Sequence, residues 1–332
     1  MSSLFTLYPH QIEGAKWMSD FESNHSCGGG CLLDEMGLGK TLTVLSFIFD
    51  TLSPCKSKGD TLSPSTTVVV STRSILHQWQ QQIEQYFPQH MHMVHSFDTK
   101  AQYGRSPMIL LVPFGNDFSE QLKGHNVKRL VIDEAHLIRS YRTMKFRIIV
   151  NAIISLGIDY KWMITGTPFN NRIDDLMSLD CILSGDNIDH SFWSGVKRSP
   201  TECAIDMMNE WLSKRSIRRT LADTKIKLPS VYKYTHILHQ DRNESYTDLY
   251  KDDESYILTK IMKLRQSVVY PPLTDKDSTD RGKMPEILET VKKTISKPGE
   301  KLVIFSFFIG VLECIKCHYC LLYTSPSPRD RG

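Results

Sequence analysis

Two short stretches of this chain carry residue types that could hold a phosphate and a divalent cation: "DEMGLGKT" (residues 34–41) and "VIDEAH" (131–136). In the first, Gly37 and Gly39 free the backbone to turn inward, so that N–H groups face phosphate oxygens at the positive end of a following helix. Lys40 is spaced to reach β- and γ-phosphates, and the Thr41 hydroxyl to complete a Mg²⁺ shell. One position departs from the common loop pattern, which asks for a glycine, four residues, then Gly-Lys-Ser/Thr. Where that first glycine belongs, the chain has Asp34. In the second stretch Asp133 and Glu134 follow the apolar run Leu130, Val131, Ile132. One carboxylate can hold Mg²⁺ while its neighbour orients and activates an attacking water. Either stretch alone has a plainer explanation, a chance Gly-Lys-Thr turn or a solvated pair of acids; together they point to nucleotide chemistry.

The flanking patterns supply the elements that must position these residues. Cys31 to Leu33 suits the end of a buried strand, and Leu42, Leu45, Phe49 and Leu52 recur at helical intervals. Leu130 to Ile132 reads as a buried parallel strand. Asp133 and Glu134 then stand at its carboxyl end, the edge where open α/β sheets hold ligands. The expected fold class is α/β, a parallel sheet flanked by helices.

As a set, the two stretches resemble motifs I and II of the superfamily 2 helicases. "DEMGLGKT" is similar to motif I of the SWI/SNF-type DNA-dependent ATPases, in which aspartate commonly occupies the first loop position. Other segments agree with that family. "LYPHQIEGAKWM" (7–18) is similar to its opening motif, which assigns adenine reading to Gln11; Asp34, Glu35, Met36 and Leu38 join the ATP-binding set with the loop glycines. "TVVVSTRSILHQWQQQIEQYF" (67–87) looks like motif Ia, implying that Ser71, Thr72 and Arg73 face DNA and that Trp79 lies on the helix behind them. "ILLVPFGN" (109–116) matches motif Ib loosely, adding Phe114 and Gly115. "KWMITGTPFNNRIDDLMSL" (161–179) resembles motif III, so that Thr165, Gly166 and Thr167, with His136, link the ATP and DNA sites. "SIRRTLADTKIKLPSVYKY" (216–234) and "KLRQSVVYPPL" (263–273) are similar to later family segments. DEAH-box RNA helicases usually carry Ser-Ala-Thr where this chain has Thr-Gly-Thr, which favours the DNA translocase branch. Within that family the segments most resemble the branch of helicase-like transcription factor and transcription termination factor two.

The resemblance implies a RecA-like P-loop lobe over residues 1–215, a helical protrusion over 216–275, a linker over 276–299 and the start of a second RecA-like lobe over 300–318. Motifs V and VI have no counterpart, and their arginines are of a kind worth about 10³ to 10⁵ in rate. The expectation is a half-motor that binds ATP and Mg²⁺ better than it turns ATP over. Its implied partners are double-stranded DNA, chromatin included, and the missing second lobe. The implied location is the nucleus. The remaining alternatives are a non-motor module that binds ATP and DNA, and an RNA or viral helicase of the same superfamily. No cysteine–histidine array separates Leu273 from Lys301, so ubiquitin-ligase activity has no support.

Composition adds limits. A length of 332 residues suits about two domains. Forty basic against 37 acidic side chains leave a net charge of only +3, so a polyanion site must be a local patch. Eight scattered cysteines suit a reducing compartment. The N-terminus lacks a signal-peptide pattern. "LVIFSFFIGVLECI" from Leu302 is shorter than the ~18 residues of a membrane span and reads as a buried strand followed by a helix. "HMHMVH" (90–95) alternates as a strand does, which favours a structural strand over a metal site. Cys314, Cys317, His318 and Cys320 read as a helix face rather than a zinc site. Lys214, Arg215, Arg218 and Arg219 form the densest basic cluster, divided between a solvated helical face and phosphate contact. The ending "CLLYTSPSPRDRG" resembles a translated sequencing-library adapter. Residues 319–332 are therefore expected to be an artefactual or disordered tail on a truncated copy of a longer protein.

Overall fold

A computed structural model describes residues 6–52, 65–101, 103, 108–138, 140–167, 173–185, 188–224, 226, 229–237, 250 and 256–319. The chain divides into two compact units, Met1–Leu228 and Pro229–Gly332.

The first unit is built on strands β1 (Gly28–Leu32), β2 (Thr66–Ser71), β3 (Val94–Ser96), β4 (Met108–Pro113), β5 (Val127–Asp133), β6 (Tyr160–Ile164) and β7 (Ser216–Ile217). They form one seven-stranded sheet in the order β3-β4-β2-β5-β6-β1-β7. Every pairing is parallel. Parallel neighbours require crossovers, and helices α2 (Lys40–Leu52), α3 (Arg73–Tyr86), α4 (Met144–Leu156), α5 (Ile173–Ser184), α6 (His190–Arg198) and α7 (Thr201–Arg215) lie on several of them, while α1 (Pro9–Asn24) precedes β1. Alternate strand residues serve opposite faces. Val68, Val70, Leu130 and Ile132 pack with Ile149, Leu176, Leu179 and Trp211. Val69 and Val131 pack with Met18, Leu45, Phe49, Leu76, Trp79 and Ile83. Burial on both faces explains why these strands read as continuous apolar runs.

At the amino ends of the strands a buried ion pair ties α1 to the sheet. Arg129 donates through Nε to Glu22 Oε1 at 2.6 Å and through Nη2 to Oε2 at 2.5 Å, while Trp162 Nε1 donates to Oε1 at 3.0 Å. Gly29 must stay bare, because a Cβ there would overlap the Lys161 carbonyl.

The structure departs from the sequence-based expectations in several places. The first unit runs past the boundary expected at residue 215, because β7 pairs with β1 through Cys31↔Ser216 and Leu32↔Ile217. Residues 90–93 are not a strand: Pro88 opens a 3-10 turn over Pro88–Met93, and His90 stacks on Phe49 with ring centroids 4.5 Å apart. Only Val94–Ser96 joins the sheet.

The second unit holds α8 (Ile257–Val269), a 3-10 turn at Pro271–Leu273, α9 (Met284–Ile295) and α10 (Ile309–Tyr319). Met284, Val291, Phe308, Val311 and Ile315 form its small core. The expected linker over 276–299 thus contains a helix, whose apolar residues at helical spacing pack against α10. The strand expected from Leu302 is not formed: residues 301–306 carry no ladder, and Val303, Phe305 and Phe307 point outward. Hydrophobic content alone does not make a strand when no neighbour receives its backbone groups.

Among the described residues there is no cluster of three metal-ligating side chains, and no helix is long and apolar enough to cross a membrane. Cys320 and the rest of the C-terminal tail lie outside the described residues.

Two outcomes follow from this packing. Glu22→Ala, which leaves Arg129 buried without its partner, should lower stability by about 3–5 kcal/mol in urea unfolding. Burial, followed by the charge of Asp180 and against that of Arg215, pushes the Cys31 thiol up to about 12. Iodoacetamide in mildly alkaline buffer should therefore label the exposed Cys27, Cys203 and Cys317 and spare Cys31 until the chain is unfolded, as mass spectrometry would read directly.

Candidate nucleotide site

The loop between β1 and α2 carries Gly37 at φ 91° and Gly39 at φ 75°, conformations that side chains disfavour. Glu35, Met36 and Gly37 are exposed at its mouth and Leu38 is buried beneath. Lys40, first residue of α2, folds its ammonium over the loop and donates to the carbonyls of Asp34 at 3.0 Å and Glu35 at 3.3 Å. Burial draws its pKa below the usual lysine range, while the charges of Asp133, Glu134 and Asp34 oppose that shift. Thr41 is half-buried beside it.

The Asp34 side chain has no exposure, and its partner is Arg219. The Arg219 backbone N–H and Nε both donate to Asp34 Oδ1, at 3.0 and 2.9 Å, and Nη2 donates to Oδ2 at 2.6 Å. Nη1 donates to the His10 carbonyl on α1 and lies 3.4 Å from Glu13 Oε2. Bonds on either side complete the latch: Leu33 N–H to the Ile217 carbonyl at 2.8 Å, Glu35 N–H to the Arg219 carbonyl at 2.8 Å and Leu221 N–H to Glu35 Oε2 at 2.6 Å. The aspartate at the first loop position is thus the acceptor of a buried ion pair. Arg219, grouped by sequence with a basic cluster open to solvent or phosphate, is a structural partner of the loop. Of that cluster, Lys214 pairs with Glu210 at 2.6 Å and Arg215 covers the Trp211 ring.

Gln11 is buried and engaged at both ends. It accepts from Tyr8 N–H at 3.0 Å and donates to the Leu38 carbonyl at 3.2 Å. The residue expected to read adenine therefore also braces the loop from α1.

Across the sheet edge, Asp133 ends β5 and pairs in register with Ile164. Its Oδ2 accepts from Trp79 Nε1 at 2.7 Å and its Oδ1 from Glu134 N–H at 2.9 Å. Burial raises its pKa, and the hydrogen bond from Trp79 opposes that rise more than any other neighbour does. Glu134 has φ 56°, the only positive value at a non-glycine among the described residues and a conformation that stores strain. His136 Nδ1 lies 3.0 Å from Glu134 Oε2 and 3.1 Å from Thr165 Oγ1. Thr167 N–H donates back to Thr165 Oγ1 at 3.1 Å. A Cβ on Gly166 would stand 3.1 Å from Met36 and 3.6 Å from Lys40 Nζ, so this segment lies against the loop. Lys40, Asp133, Glu134, His136, Thr165 and Gly166 are thereby gathered at one edge. Residues 168–172 of the expected third motif lie outside the described residues.

The rim expected to face DNA is assembled next to this edge with one exception. Arg73 is exposed at the start of α3, Thr72 stands at the position just before that helix, and Phe114 and Gly115 follow β4, where Phe114 N–H donates to the Ser71 carbonyl at 2.8 Å. Ser71 is fully buried, and its hydroxyl donates to the Asp133 carbonyl at 3.1 Å, so its side chain is not presented to a ligand.

The SNF2-related domain model matches residues 10–273. The chain belongs to the SNF2-related family. Its match to this family spans both the glycine loop and the Arg219 latch. An uncharacterized ATP-dependent helicase of Mycoplasma pneumoniae is 27% identical over 94% of this SNF2-related chain and 31% of its own length. DNA repair protein rad5 of Emericella nidulans is 26% identical over 75% of this chain and 26% of its own. The ISWI chromatin-remodeling complex ATPase ISW1 of Saccharomyces cerevisiae is 24% identical over 98% and 32%. The chain thus spans about a third or less of these relatives. The Sulfolobus solfataricus SWI2/SNF2 ATPase core, solved with dsDNA, shares the fold at a TM-score of 0.55, with 24% identity over 99% of this chain and 74% of that one.

Asp34→Gly restores the common loop pattern but strands the Arg219 charge. It should lower stability by about 3–5 kcal/mol in denaturant unfolding, and adding Arg219→Met should recover most of the loss.

Proposed function

We propose that this chain is the ATP-binding lobe of a DNA-dependent ATPase that moves along double-stranded DNA in chromatin remodelling, transcription or repair. The convergence of Lys40, Asp133, Glu134 and His136 on one sheet edge of an SNF2-related chain carries this reading. The names of relatives in DNA repair and chromatin remodelling agree with it.

In this reading the backbone N–H groups around Gly37 and Gly39, with Lys40, hold the phosphates. The Thr41 hydroxyl and the Asp133 carboxylate are hard oxygen donors of the kind Mg²⁺ prefers, and they would hold that ion. When bound, it neutralises charge on the β- and γ-phosphates. Glu134 orients the attacking water and takes its proton, steadied by His136 and through it by Thr165. Gln11 reads adenine while bracing the loop. Thr72, Arg73, Phe114 and Gly115 face the duplex, mainly at phosphates, so binding is sensitive to salt and indifferent to sequence.

In the whole protein a second RecA-like lobe closes on the nucleotide and alternates grip with this one; the chain alone turns ATP over slowly. Relatives come from a bacterium and a virus as well as fungi, so the work site is wherever duplex DNA lies, the nucleus in a eukaryotic cell.

ATP hydrolysis with and without duplex DNA should be measured for this chain and for a version extended through a full second lobe. Strong stimulation by duplex DNA is expected only in the extended version, and Lys40→Ala should abolish it. An extended version that ignores DNA, or that keeps its activity after Lys40→Ala, rejects the reading.

A further inference from the structure

We infer that Trp79 is a positioning residue that connects duplex contact at the rim to the orientation of the Asp133 carboxylate, an inference that rests on the ATPase reading above. Helix α3 starts on the rim at exposed Arg73, and Trp79 follows under two turns later on its buried face beside Leu76 and Ile83. The indole ring has no exposure, and its N–H, a donor only, is aimed at Asp133 Oδ2 at 2.7 Å. A bond from a buried donor to a carboxylate is charge-assisted and directional.

A second connection reaches the same residue through its backbone. Ser71 Oγ donates to the Asp133 carbonyl, and the Ser71 carbonyl accepts from Phe114 N–H. Both rim segments therefore end on Asp133, and of these rim bonds the one from Trp79 reaches the carboxylate, whose other oxygen accepts from Glu134 N–H. One continuous hydrogen-bonded helix joins Arg73 to the encased tryptophan, so a displacement of Arg73 by a phosphate would be carried to Oδ2. A packing role alone would be met by phenylalanine, which makes Trp79→Phe the discriminating change.

The test measures how a short duplex alters the affinity of the chain for a fluorescent ATP analogue with Mg²⁺. In the unaltered chain the duplex should change that affinity about fivefold or more, within the range of ordinary coupling between sites. In W79F the factor should collapse toward one while duplex affinity, measured alone, stays the same. Full coupling in W79F, or both ligands bound without coupling in the unaltered chain, overturns the inference and leaves the ATPase reading standing. Binding of neither ligand by the unaltered chain overturns both. A second readout is the Trp79 indole N–H resonance in ¹⁵N-labelled protein. It is assigned by its loss in W79F or, should that variant not fold, by its displacement in D133N. It should move on adding duplex alone, and a resonance indifferent to duplex overturns the inference.

Discussion

A carboxylate without access to water must be neutralised where it stands, and Asp34 meets that demand with Arg219, which donates through two guanidinium nitrogens and its own backbone N–H. Much of the nucleotide edge is arranged around this pair. It brings the first residue of the glycine loop, the start of α1 and the chain leaving β7 to one point. Glycine at position 14 leaves room for the guanidinium, since a Cβ there would stand 2.8 Å from Nη2. The brevity of β7 also makes sense: two residues suffice to set Ile217 to Leu221 alongside the loop.

The remaining chemistry is held by shared neighbours rather than by isolated contacts. Lys40 is surrounded by Asp34, Asp133 and Glu134, whose charges oppose the effect of burial on it. Asp133 keeps its carboxylate between an indole N–H and the next backbone N–H. Glu134 accepts a left-handed backbone in order to reach His136, and His136 reaches Thr165 on the neighbouring strand's exit. A strained backbone at such a position persists only when the surroundings over-determine it.

What was legible in the sequence was local. The turn glycines, the apolar run before Asp133 and the helical spacing after Lys40 each sit within a dozen residues, and the α/β class follows from them. The partner of Asp34 lies 185 residues away, and no periodicity announces a pairing at that range. Ser71 matched a rim motif, yet it is still inside the sheet, where its hydroxyl serves the neighbouring strand. The alternation at 90–95 lost to the proline ahead of it. The run from Leu302 has the composition of a strand but not the neighbours that make one, and the polar stretch before it concealed the i, i+4 and i, i+7 contacts that make α9 a helix.

The strand order also sets a timetable. β1 leaves a ribosome well before both of its partners, β6, in the register Gly28↔Tyr160, and β7, in the register Cys31↔Ser216. At about 5–20 residues per second, Arg219 emerges roughly 10–40 s after Asp34. Throughout that interval a strand destined to lie between β6 and β7 waits with its edges open and an acidic side chain unneutralised. The glycine loop, synthesised well before Arg219, takes its final shape only once Ile217 to Leu221 have followed it out.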